Sequence, residues 1–202
     1  MFADDVSVVP VAVDSSVRAD GLGRVDAFIA GGLAIGVFFF LSLWAYPGFY
    51  PGVWQESAEA AGIYPAATIL PGLWRVFADG VFALCGIGPG SVLLSLLGRL
   101  SAAAIAGLLY LFFRECLALS IRNRPQHARR RVMVARVASL LAAVAFACSE
   151  PAWRMGQAFS SSALTFLLII LVLELFAYFL RAGSMPAVYA CAFLCGVVSA
   201  ES

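Results

Sequence analysis

Residues 27–46 read AFIAGGLAIGVFFFLSLWAY, 20 residues without one charge. At about 1.5 Å of helix rise per residue the stretch covers about 30 Å, the thickness of a bilayer's hydrocarbon core. Trp44 and Tyr46 stand where an interfacial aromatic belt belongs. Pro47, Gly48, Pro51 and Gly52 then stop the helix. The composition outside this stretch agrees with it. Of 202 residues 62% are hydrophobic and 12% charged, and the mean hydropathy is +0.94. A soluble domain carries about twice that charge. These values exclude a soluble globular enzyme, a disordered regulator and a nucleic-acid-binding domain, and they predict an all-α, polytopic membrane helix bundle.

Further spans are expected near 92–113, 132–148, 163–180 and 186–200, about five transmembrane helices in all. Residues 1–25 are polar and read as a cytoplasmic tail, with 26–202 as the transmembrane domain. All 13 basic residues are Arg, and seven of them fall between 114 and 136. The arginine-rich loop 114–131 is therefore placed in the cytoplasm, and so is the N-terminus, with Arg18 and Arg24. Two cytoplasmic ends require an even number of crossings between them, and the spans at 27–46 and 92–113 supply two. The broken apolar stretch 64–88 is then not a crossing. Residues 47–90 read as an outer loop with an interfacial helix near 71–84, on which Arg75 and Asp79 stand one turn apart and can pair. The fifth apolar run ends just as it reaches the far interface, a pattern expected of the N-terminal part of something longer.

The five cysteines form no CxxC pair and no Cys/His cluster, which argues against a zinc or redox site. They read as small packing residues, with a Cys85–Cys148 disulfide as an alternative. No P-loop, zincin, serine-hydrolase or dinucleotide motif occurs. His127, the only histidine, lies in the arginine-rich loop and is read as facing headgroups.

The candidate chemistry lies on the outer side. Glu56 and Glu59 are three apart, so one helical face presents both, either as a general base with a cation ligand or as solvated residues of a first turn. A divalent metal is the cofactor such a pair would take. Glu150 precedes Pro151, which suits the first turn of a new helix capped by Ser149. Arg154 is either a phosphate-level anchor or a ligand for a lipid-linked phosphate. Glu174, well inside a span, is expected to face other helices, with Arg181 out of its direct reach; Arg99 either snorkels outward or faces the bundle.

The order of these features resembles the bacterial protein O-mannosyltransferase-like multi-span family, related to the GT-C membrane glycosyltransferases. The resemblance rests on Glu56-Ser57-Ala58-Glu59 in the first outer loop, followed by Gly62-Ile63-Tyr64-Pro65 and Leu70-Pro71-Gly72-Leu73. Next come Gly98-Arg99-Leu100-Ser101 through Leu108-Leu109-Tyr110-Leu111 to Arg114. The outer turn Ser149-Glu150-Pro151-Ala152-Trp153 follows, then Gln157-Ala158, and the end from Gly196 to Ala200-Glu201. It spans about 26–202. The chain departs from the family pattern in carrying Glu56 where the family has Asp, and in lacking a loop histidine near Tyr64. The resemblance implies a glycosyltransferase of the bacterial inner membrane, or the N-terminal part of one. It would transfer a sugar from a polyprenyl-phosphate donor to an extracytoplasmic acceptor. It further implies Glu56 as catalytic base with Glu59 in support, and Arg75, Glu150, Arg154 and Gln157 as substrate-binding residues. A non-catalytic membrane subunit of the same ancestry and a small transporter are the competing expectations.

Overall fold

The computed structural model describes residues 23–43, 72–121, 128–157 and 160–201. They form seven helices and, among the described residues, no strand: α1 (Arg24–Leu43), α2 (Gly72–Cys85), α3 (Ile87–Ile121), α4 (Ala128–Ala147), α5 (Glu150–Gln157), α6 (Ser161–Ala182) and α7 (Met185–Glu201). The architecture is an all-helical membrane bundle. Helices α1, α3 (over Val92–Leu119) and α6 are each long and apolar enough to cross a bilayer. A fourth crossing arises when α4 and α5, bent by 58° at the break between them, count as one span. Helix α7 is 17 residues long, at the short end for a crossing. Large apolar side chains point outward, among them Phe28, Tyr189 and Phe193, each more than 70% exposed. Water would penalise that surface; lipid tails do not.

Helix α3 is the hub, packing against α1, α2, α4, α5 and α6. Its 35 residues extend about 52 Å. Small residues let neighbours approach. Ala102, Ala103 and Ala106 are buried, and a Cβ placed on Gly107 would lie 3.2 Å from the Ala30 carbonyl oxygen of α1. That is close helix packing of the kind small residues permit in membranes. The core joins Val37 and Leu41 of α1 to Leu94 and Ile105 of α3, with Ala78, Ala147, Met155 and Ala163 from other helices. Phe146 of α4 and Phe166 of α6 stack with centroids 5.8 Å apart.

These contacts fix the directions. Asp26 meets Tyr110 and, one turn later in α1, Ala30 meets Gly107 of α3, so the two helices are antiparallel. Local chemistry sets the ends. The Ser160 hydroxyl accepts from the Ala163 amide at 3.2 Å and caps α6. Gly183 closes α6 at φ 62°, where a side chain would be strained, and its amide donates to the Phe179 carbonyl.

Three expectations change. Helix α3 does not stop at 113 but runs on through Ile121, so the segment expected as loop from 114 begins as helix. The helix expected at Pro151 is present as the eight-residue α5, but without its expected cap. Ser149 does precede it and accepts the Trp153 amide through its carbonyl, but its hydroxyl is buried with no hydrogen-bond partner among the described residues. The cysteines carry no disulfide: all are free, and four are exposed rather than packed inside, while the half-buried Cys191 thiol donates to the Val172 carbonyl of α6 at 3.8 Å.

Candidate functional site

The bundle has two chemically different ends. One gathers the start of α1, the last part of α3, the first half of α4 and the end of α6. Asp26, on the first turn of α1, is fully buried there. Arg136 of α4 donates to it twice, Nε to Oδ1 at 2.7 Å and Nη2 to Oδ2 at 3.3 Å. The Tyr110 hydroxyl of α3 donates to Oδ1 at 3.1 Å. Arg114, one turn on, adds a second cation at 3.7 Å. The next residue, Glu115, is 2% exposed and pairs with Arg181 of α6. The Arg181 guanidinium also lies 5.3 Å from the centre of the Tyr178 ring, a cation–π distance. Two consecutive residues of α3 thus tie α1 and α4 on one side and α6 on the other.

A buried charge is tolerated only when paired and hydrogen-bonded. Asp26 meets that condition with three donated bonds, and all its partners come from other helices. This network locks helix positions. Glu174 lies on α6 two turns before Arg181, and its Oε2 is buried with no hydrogen-bond partner among the described residues. Arg181 is committed to Glu115, in line with its expected separation from Glu174.

The other end carries the outer-side candidates. Glu150 and Arg154 pair across one turn of α5 at 2.5 Å, both well exposed. Gln157 is buried at the end of the same helix. Met155 sits in the core and Trp153 packs against it, so α5 is anchored by one face and open on the other. A Cβ on Gly156 would come within 3.0 Å of Leu41, which places α5 against the far end of α1. Arg75 belongs to α2, and its side chain lies outside what is described. Glu56 and Glu59 lie outside the described residues. Of the six residues proposed from sequence, the structure pairs Glu150 with Arg154 and places Gln157, buried, at the end of the same helix.

No group of three or more His, Cys, Asp or Glu suited to a metal ion occurs among the described residues. The sequence reading missed Asp26 and Glu115. The available signal was their position, acids at the edge of apolar helices, which demands a partner. No known protein family, no curated protein and no solved structure matches the chain.

Proposed function

We propose that the protein is the membrane part of a GT-C-like glycosyltransferase of the bacterial inner membrane. In this reading the arginine-rich end faces the cytoplasm and the α5 end faces outward. One observation carries it: α5 presents Glu150 and Arg154 at the end of the bundle where α1 finishes, opposite the arginine-rich end. The segment bearing Glu56 and Glu59 leaves α1 from that same end, because it follows Leu43 in the chain.

The chemistry is a substitution at the sugar's anomeric carbon. Glu56 takes the proton of the acceptor hydroxyl. The hydroxyl oxygen forms the new bond to the anomeric carbon as the bond from that carbon to the donor phosphate oxygen breaks. The polyprenyl phosphate leaves with the bonding pair. Arg154, with Arg75, stabilises the phosphate charge, and the bilayer carries the polyprenyl tail.

The test is transfer of labelled sugar from a polyprenyl-phosphate donor by membranes holding the chain. Glu56→Gln is expected to lower transfer by about a hundredfold or more, the usual contribution of a general base, with membrane insertion unchanged. Full activity in that variant removes Glu56 from catalysis. A non-catalytic subunit is the second reading, favoured by the use of Asp26, Glu115 and their arginines in helix-to-helix pairing. Absence of transfer by the unaltered chain, correctly inserted, selects it.

A further inference from the structure

Arg99 is used neither by the charge network nor by the reading above. It lies on α3 seven residues past Val92, where the candidate span starts, about 10 Å in. Its Nη2 donates to the Ser95 hydroxyl at 2.9 Å, one turn back toward the α5 end. Its Nε is buried with no acceptor among the described residues. Arg114, Arg136, Arg154 and Arg181 each have a carboxylate within 4.0 Å; among the described residues Arg99 has only the serine.

A guanidinium in a span is neutralised by a neighbour or reaches an anion in the headgroup layer. Arg99 and Arg114 are separated by about 22 Å along α3, against about 30 Å of hydrocarbon. With the Arg114 layer at one boundary, Arg99 stops about 8 Å short of the other, a gap that a long side chain and a drawn-in headgroup close together. The Ser95 bond turns the guanidinium toward that boundary and uses one nitrogen. The remaining N–H groups on its two terminal nitrogens match the oxygens of a phosphate, the anion a bilayer holds at that boundary.

We propose that Arg99, oriented by Ser95, binds the phosphate of a membrane lipid seated beside α3 at the α5 end. A bulk phospholipid and a polyprenyl phosphate share this chemistry. The polyprenyl source rests on the function proposed above; the phosphate site does not.

The experiment uses the full chain in detergent, with lipid retention counted by native mass spectrometry. The probes are polyprenyl phosphate, phosphatidylglycerol and, as a tail without phosphate, diacylglycerol. The unaltered chain is expected to retain one phosphate lipid and no diacylglycerol. Arg99→Gln is expected to weaken retention by on the order of tenfold or more, the effect of losing a charged hydrogen-bonding partner. Arg99→Lys restores part of it, and Ser95→Ala, which keeps the charge, gives an intermediate loss. Melting of the same samples identifies any variant that fails to fold, and the Lys and Ala variants then decide. Retention of polyprenyl phosphate alone supports the site with the donor as its lipid, and equal retention of phosphatidylglycerol supports it with the bulk headgroup. Equal retention by the unaltered chain and the folded variants, or none by the unaltered chain, overturns it. A chain that holds lipid through Arg99 but transfers no sugar rejects the transferase and keeps the site. One that transfers sugar with Arg99→Gln retaining lipid normally does the reverse.

Discussion

Asp26 shares its carboxylate among two guanidinium groups and a phenol, with no surface open to solvent. Removing one partner from such a group leaves the others buried and uncompensated. Asp26→Asn keeps the volume and deletes the charge, so Arg114, 4% exposed, loses its counter-ion. The expected cost is about 3–5 kcal/mol, read as a lower midpoint in denaturant titration of the detergent-solubilised protein. Arg136→Gln is expected to cost less, because Asp26 keeps Arg114 and Tyr110 and because the Arg136 side chain is one-third exposed. The reverse order would show that Arg136, not Arg114, balances the acid. Neither Asp26 nor Glu115 stood out in the sequence. Asp26 sits where tail becomes span and Glu115 beside a run of arginines, and both positions suit ordinary boundary charges. Their partners are 84, 110 and 66 residues away, and spacing within one helix carries no information about such pairs.

Among the helices, the long apolar runs were legible, since length and lack of charge suffice to define a span. The ends were less so. Arg114 and Glu115 read as the end of a span because unpaired charges end spans; paired across helices, they leave α3 free to continue to Ile121. The start of α5 was visible in Pro151, but its packing against Leu41 was not. The α1–α3 contact predicts a contrast between glycines. Gly107→Val must displace the Ala30 backbone, 3.2 Å from the new Cβ, and is expected to cost about 1–3 kcal/mol. Gly31→Ala, with nothing within 4 Å of its Cβ, is expected to leave the melting temperature unchanged or raise it. Equal effects would mean that α1 and α3 do not meet at Gly107.

For the whole molecule, the helix directions place Asp26, Arg114, Arg136 and Arg181 at one end and α5 at the other. The positive-inside rule then predicts the sidedness. A reporter inserted after Arg124 is expected in the cytoplasm, and one inserted within 55–60 is expected outside. A cytoplasmic reporter at 55–60 would invert the bundle and remove Glu56 from the outer face. The candidate base was legible only as a pair of acids at helical spacing, whereas Glu150, a candidate on α5, was legible as a helix start and is present as one.

The pairing of Asp26 also sets a schedule for biogenesis. The ribosome makes Asp26 84 residues before Tyr110 and 110 before Arg136. Glu115 precedes Arg181 by 66. On these separations a nascent α1 lacks the partners of Asp26 until α3 and α4 are made, and α3 lacks the Glu115 partner until α6 is made. Each helix is held for the next, and a chain stalled before Arg181 displays an orphan carboxylate that membrane proteases and chaperones can read as unfinished.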